Sequence, residues 1–241
     1  MTGVQTCALP ISAQAFERYD LVTAPVADGD GRLIGRVTVD AVMDYIREET
    51  DSDMLSAAGL REDEDLFASV WKSVRNRWTW LAINLVTAFI ASRVIGAFED
   101  SIAKLVALAA LMPIVAGISG NSGNQTITMI VRALALGQIS AANARKLFAK
   151  EIGVSALNGL IWGSVVGLFA FLIYHNWQLG AVMTGAMVLS LSVAAVMGVT
   201  IPLVLQKLGR DPAVGSSVLI TAITDSGGFF IFLGLATIFL V

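Results

Sequence analysis

Long apolar runs dominate the last two-thirds of the chain. Five stretches each exceed the ~20 apolar residues that a transmembrane helix needs, and they cover about 78–98, 102–132, 152–174, 179–205 and 213–241. The second run is longer than one span requires. The pattern predicts an α-helical membrane protein with five transmembrane helices.

The pattern before these runs is different. Val22–Val26 is a short β-prone run, Asp28–Gly31 is a turn cluster, and Leu33–Val39 alternates apolar with other positions before Asp40 caps a helix. Residues 12–65 therefore read as helix end, strand, turn, strand and helix. We expect a partial α/β domain ahead of the membrane body.

The first eleven residues, MTGVQTCALPI, fit neither part. They lack the basic and long apolar regions of a signal peptide. They resemble the translated end of a sequencing adapter, so we expect residues 1–11 to be an artefact, with the native protein extending further upstream. The alternative is a native tail. Cys7, the only cysteine, excludes a disulfide framework.

Composition narrows the class of protein. Of the 241 residues, 56% are hydrophobic and 15% are charged, against roughly 25% charged residues in soluble domains. A purely soluble enzyme is nearly excluded. Residues 1–65 carry a net charge of −9 and residues 66–241 carry +6, so an acidic head precedes a basic membrane body.

The basic residues also predict orientation. They lie before the first span, between the second and third, and between the fourth and fifth: Lys72, Arg75, Arg77, Arg145, Lys146, Lys150, Lys207 and Arg210. Since Lys and Arg are retained on the cytoplasmic side, we expect a multi-pass protein of the cell membrane with a cytoplasmic N-terminus and an external C-terminus.

Acidic residues crowd the end of the head. Ten carboxylates lie between residues 40 and 65, and our candidates for a regulatory metal site are Asp40, Asp44, Glu48, Glu49, Asp51 and Asp53. Because like charges repel, a bridging divalent cation would stabilise any conformation that brings them together. The alternative is a solvated acidic linker.

Asp225 is the only ionisable residue among the last 24 positions. An acidic side chain within a membrane span is costly and is usually tolerated only beside a polar pathway or a partner. This favours a functional role over a hydrogen-bonded packing role. No intramembrane His pair, Ser–Lys pair or second deep Asp accompanies it, so we do not expect an enzyme.

The second apolar run contains a glycine-rich polar segment, PIVAGISGNSGNQT, at residues 113–126. Its glycines allow the backbone to approach a neighbour or to expose carbonyl groups. Amide and carbonyl oxygens can hold a hydrated hard cation through its water shell. A phosphate-binding loop is disfavoured because no G-K-[ST] follows and no strand precedes.

A ridge of small residues recurs every four positions in the third span, at Ser155, Gly159, Gly163 and Gly167. Such ridges permit close contact between membrane helices. We interpret this ridge as packing.

Three motifs together resemble one family. They are P-x-x-x-G-x-x-G-N-x-G-x-Q at Pro113–Gln125, D-P-A at Asp211–Ala213 and T-x-x-T-D at Thr221–Asp225, and they are similar to those of the MgtE family of magnesium transporters and channels. In addition, Pro25–Asp40 resembles the final half of a CBS domain. The resemblance divides the chain into part of a CBS domain at 12–50, an acidic linker and connecting helix at 51–77, and a transport domain at 78–241.

The resemblance implies a homodimer in a lipid bilayer, with a pore between subunits lined by the second and fifth spans. It implies that Asp225 is the magnesium-site aspartate, and it places these candidates beside it: Gly117, Gly120, Asn121, Asn124, Ser217, Thr221 and Thr224, with Pro113, Gln125 and Thr128 lining the pore. It further implies gating by cytoplasmic Mg²⁺. Nucleotide binding is not expected from half a CBS domain, and no nucleic acid partner is expected.

Charge arithmetic agrees with a dimer. One carboxylate half-neutralises a divalent cation, whereas a two-fold axis would bring two copies of Asp225 together. Mg²⁺ keeps several water ligands, which suits a site of one carboxylate per chain with amides and hydroxyls. Co²⁺ and other divalent cations stay as further candidates.

Two other functions compete with a channel that imports Mg²⁺ down its electrochemical gradient. The first is an exchanger that couples Mg²⁺ to Na⁺ or H⁺, because Asp225 can in principle carry a proton. The second is a membrane-anchored cation sensor, which accounts for the acidic head but gives Asp225 and the glycine motif no role.

Overall fold

The structure is a computed structural model that describes residues 9–57, 59–60, 67–136, 138–139, 141–213 and 215–241. These residues fall into two compact units, one extending to Ser56 and the other running from Phe67 to Val241. The second unit is almost entirely helical. Residues 1–8 of the expected artefact lie outside the described part.

The first unit contains helix α1 (Leu9–Tyr19), strand β1 (Thr23–Ala27), strand β2 (Leu33–Thr38) and helix α2 (Val39–Ala57). The order confirms the predicted helix, strand, turn, strand and helix. Asp28 holds the turn, because its Oδ1 accepts hydrogen bonds from the backbone N–H groups of Asp30 at 3.0 Å and Arg32 at 2.8 Å.

The two strands of this unit are antiparallel, and a bulge interrupts their register between Val26 and Ala27. Phe16 of α1 and Val42 of α2 are its buried hydrophobic residues among those described. One boundary differs from the prediction, because α2 begins at Val39 and so places Asp40 in its first turn instead of at the cap.

The second unit contains six helices in the described ranges: α3 (Val70–Gly96), α4 (Glu99–Lys104), α5 (Ala107–Ala135), α6 (Ala141–Tyr174), α7 (Trp177–Lys207) and α8 (Ser216–Leu240). Within the described residues, four helices are long and apolar enough to cross a membrane: α3, α6, α7 and α8. α5 has 29 residues, which is long enough, but its amide and glycine residues lower its mean hydropathy.

The predicted second run is broken where it begins. Ile102 lies in the short helix α4, and the chain is extended at Leu105, with φ −136° and ψ 84°, before α5 begins at Ala107. The first residues of the predicted stretch at about 102–132 therefore lie in α4 and in the turn after it, and the long helix begins at Ala107. Periodicity could not show this, because Leu105 and Val106 are as apolar as the helix that follows.

The basic residues predicted between the second and third spans lie inside a helix. Arg145, Lys146 and Lys150 occupy the first turns of α6, which has 34 residues and is therefore about 51 Å long at 1.5 Å per residue. This exceeds the ~30 Å hydrocarbon core. The excess length lets charged residues remain helical outside the apolar layer.

Helices α5, α7 and α8 enclose the main core, whose fully buried side chains include Leu108, Met183 and Phe232. The small-residue ridge of α6 packs against α7, as predicted. A Cβ atom added at Gly159 would lie 2.6 Å from Cα of Val188, so the two helices approach more closely than larger residues allow. α3 contacts α8 and is otherwise mostly uncovered within this unit.

Candidate ion pathway

Asp225 lies in the interior of α8, as the tenth of its 25 residues. Its side chain is half-buried, and its carboxylate makes no hydrogen bond or ion pair within the described residues. A hydrogen-bonded packing role therefore has no support among these residues. The carboxylate is available to a cation or to water.

The glycine-rich segment of α5 is continuous α-helix from Ala107 to Ala135. Of the two possibilities open from the sequence, the structure shows close approach and not exposed carbonyl groups. A Cβ atom added at Gly123 would lie 2.6 Å from Cγ1 of Ile220, and one added at Gly120 would lie 3.5 Å from Oγ1 of Thr224. The glycines thus let α8 lie against α5.

These contacts also fix the direction of the two helices. Residue 123 meets residue 220, residue 120 meets residue 224, and Gly228 approaches Ser119. From one contacting pair to the next, the residue number increases along α5 and decreases along α8, so the helices are antiparallel. Asn121, at the midpoint of α5, consequently lies at about the same level as Asp225.

Each polar candidate residue comes directly after a residue at which α5 and α8 contact each other. Asn121 follows Gly120 on α5, and Asp225 follows Thr224 on α8. One residue is a turn of about 100° around a helix axis. Because the helices are antiparallel, this turn brings the side chains of both helices to the same side of the pair.

We call this side the polar face of α5 and α8. On α5 it carries exposed or half-buried residues, most of them three or four positions apart: Pro113, Gly117, Asn121, Asn124, Gln125 and Thr128. On α8 it carries Ser217, Thr221 and Asp225. Gly120 and Thr224, in contrast, are buried in the contact between the helices.

Hydroxyl groups on this face have their protons engaged. Oγ1 of Thr221 donates to the carbonyl of Ser217 at 2.8 Å, and Oγ1 of Thr128 donates to the carbonyl of Asn124 at 2.9 Å. A hydroxyl has one proton and two lone pairs. Its lone pairs therefore stay free to accept a hydrogen bond from the water shell of a cation.

The sequence did not single out two buried hydroxyls near this level. Oγ of Ser190 on α7 and Oγ of Ser226 on α8 are buried and have no hydrogen-bond partner in the described part of the chain. The sequence alone does not show whether the hydroxyl of a serine in an apolar run has a partner. Ser192, for example, also lies in α7, and its hydroxyl donates a hydrogen bond to the carbonyl of Val188 in the preceding turn at 2.7 Å.

The described side chains among the predicted regulatory carboxylates do not form a cluster. Asp40, Asp44, Glu48, Glu49 and Asp51 are exposed along α2. Asp53 lies in the same helix, and its side chain is outside the described set. Within the described ranges, no group of three or more Asp, Glu, His or Cys residues could hold a metal ion. This regulatory site stays a prediction.

Comparison with known proteins identifies the second unit. Residues 112–235, just over half of the chain, match the family model MgtE, described as a divalent cation transporter. The match covers the core of the polar face, from Pro113 to Asp225.

Three relatives extend the similarity to 95% of the chain. They are named magnesium transporter MgtE and come from Bacillus subtilis at 31% identity, Enterococcus faecalis at 33% and Thermus thermophilus at 33%. The chain spans about half of the length of these relatives: 51%, 50% and 51%, respectively.

Proposed function

Since this chain belongs to the MgtE family of divalent cation transporters, we propose that it carries Mg²⁺ across the membrane along the polar face of α5 and α8. Membership of a transporter family also points away from an enzyme. The observation that supports the proposal best is the position of Asp225, level with Asn121 on a face whose residues are exposed or half-buried.

Lipid cannot be the neighbour of this face. Hydrocarbon offers no hydrogen bonds, so amides and a carboxylate at membrane depth are stable only beside protein or water. A second copy of the chain, related by a two-fold axis along the face, satisfies this requirement. The two copies of Asp225 then match the charge of one divalent cation, and we propose this homodimer as the transporting form.

A mostly hydrated Mg²⁺ suits the chemistry of the face. Mg²⁺ dehydrates reluctantly and usually keeps several waters. Asn121, Asn124 and Gln125 offer amide oxygens, and Thr128, Ser217 and Thr221 offer hydroxyls to those waters. Thr224 and Gly120 support the contact between the helices, while Gly117 and Pro113 add little side-chain bulk to the face.

The topology follows from the same proposal. α5, about 43 Å long at 1.5 Å per residue, is the fifth membrane crossing, because its polar face is shielded from lipid by the partner copy. With basic residues retained inside, the N-terminus is cytoplasmic and the C-terminus is external. The membrane potential then drives Mg²⁺ inward. For the head, we propose part of a CBS domain in which the carboxylates of α2 bind cytoplasmic Mg²⁺ and favour the closed state.

The test is Mg²⁺ influx into liposomes that contain the full chain, with and without an imposed potential. Asp225→Asn removes the charge but keeps the size of the side chain, and we expect influx to fall at least tenfold, because loss of a desolvated charge partner costs about 2–5 kcal/mol. The matched control is Asp100→Asn, which removes a charge from the exposed surface of α4 and should leave influx near wild type.

Equal influx in Asp225→Asn and wild type would contradict the pathway. Influx that stops without a Na⁺ or H⁺ gradient would instead favour an exchanger. Absence of influx in every variant would favour the sensor.

A further inference from the structure

A groove of about 460 Å³ lies between the end of α5 and the start of α6. Its polar lining consists of Gln138, Asn143, Lys146 and Lys150. Nδ2 of Asn143 donates a hydrogen bond to the carbonyl of Gln138 at 2.8 Å, which ties the start of α6 to the preceding loop. We call this the α5–α6 groove. It is far along α5 from Asn121 and takes no part in the proposed pathway.

The groove carries one net positive charge. Nζ of Lys150 lies 3.7 Å from Oε1 of Glu151, whose side chain is 4% exposed, so one lysine is balanced by a buried carboxylate. Lys146 is exposed, and it has no ion pair in the described part of the chain. Lys146 and Lys150 are four residues apart and therefore project from the same edge of α6. This charge matches an anion that carries a single negative charge.

The remaining lining is apolar. Ala133, Ile139 and Leu147 complete the wall of the groove. A small inorganic ion needs no such surface, whereas the glycerol and upper acyl region of a phospholipid does. The mixed lining therefore favours an amphiphile over a free anion.

The position of the groove agrees with a lipid headgroup. Lys146 and Lys150 are the sixth and tenth residues of the 34-residue α6, in the part of the helix that exceeds the thickness of the hydrocarbon core. Basic pockets between membrane helices on the cytoplasmic side are known to hold anionic headgroups. We propose that the α5–α6 groove binds a phospholipid with one net negative charge, with its phosphate at Lys146. This inference rests on the membrane location and the orientation given under the proposed function, and not on the transport of Mg²⁺.

The experiment measures lipid retained by the full chain in nanodiscs that contain phosphatidylglycerol and phosphatidylcholine in equal amounts, by native mass spectrometry after detergent release. We expect wild type to retain phosphatidylglycerol preferentially. Lys146→Gln should reduce this preference about fivefold, since a basic residue near an anionic surface contributes about 1 kcal/mol. The matched control is Lys207→Gln, which removes an exposed charge at the end of α7 outside the groove.

A preference that is lost in Lys146→Gln and retained in Lys207→Gln supports a specific headgroup site. Equal loss in both variants would reduce the effect to general attraction between basic residues and the bilayer, and would overturn the proposal. The proposal is also wrong if wild type shows no preference, or if soluble glycerol phosphate displaces the lipid at matched concentration. Thermal unfolding of both variants should match wild type, which separates lipid binding from misfolding.

Discussion

The contact between α6 and α7 offers a sharp test of the membrane unit. In Gly159→Ala the new Cβ would lie 2.6 Å from Cα of Val188 and 3.1 Å from the carbonyl oxygen of Met187. Ordinary contacts begin near 3.4 Å, so the helices must separate by up to about 0.8 Å. Both neighbours are backbone atoms and cannot rotate away. Overpacking of this kind costs about 1–3 kcal/mol.

Gly153→Ala is the matched control, because it lies in the same helix and its added Cβ meets nothing within 4 Å. Replacing glycine by alanine within a helix gains about 1 kcal/mol in propensity, and this gain is common to both variants. The difference in stability between the two variants therefore isolates the packing cost of 1–3 kcal/mol.

The assay is thermal unfolding in detergent, followed by tryptophan fluorescence. For a chain of this size, 1 kcal/mol corresponds to about 2–4 °C. We expect the Tm of Gly159→Ala to lie about 2–12 °C below that of Gly153→Ala. Equal Tm values in the two variants would refute the close contact of α6 with α7.

Two further predictions concern α8. Gly123→Ala places a Cβ 2.6 Å from Cγ1 of Ile220, which should displace α8 from α5. We expect Mg²⁺ influx in the liposome assay to fall severalfold although Asp225 is intact. Unchanged influx would show that the spacing of these helices does not matter for transport. Ser101→Ala removes the 2.7 Å hydrogen bond between the hydroxyls of Ser101 and Thr237. This loss should destabilise the unit by about 0.5–1.5 kcal/mol and lower its Tm by a few degrees. A Tm equal to that of wild type would argue against this bond.

Much of the helical content could be predicted from the sequence because it depends on local pattern. Apolar runs locate α3, α6, α7 and α8, and the alternation in Leu33–Val39 locates β2. The break at Leu105 could not be predicted, because it depends on the packing of α4 against α8 through Ser101, a contact between residues 136 positions apart. The extension of α6 back to Ala141 was missed because helical residues outside the apolar layer are as polar as a loop.

The candidate site likewise has features that the sequence predicts and features that it does not. Asp225 could be found as an isolated charge in an apolar run, and the glycine-rich segment could be found as a motif. The position of Asp225 relative to the glycine-rich segment could not be predicted, because the packing of α8 against α5 depends on contacts such as that of Gly123 with Ile220. The acidic residues of α2 show the limit of composition: their charge predicts cation binding, but charge alone does not give the positions of the carboxylates that would share an ion, so this regulatory site stays a prediction.

The geometry of α5 and α8 supports the proposal that a chain with one carboxylate in its pathway transports a divalent cation. A tightly packed pair of antiparallel helices has two sides, and in this unit the side opposite the polar face is occupied by α7, which contacts both helices. The proposed pathway therefore lies along the remaining side, where the residues of the polar face are exposed or half-buried. The proposed two-fold axis supplies the second wall and the second carboxylate together. The position of the pathway and the homodimer are thus linked, and a monomer that transports Mg²⁺ at the wild-type rate would contradict the homodimer and the pathway between its two copies.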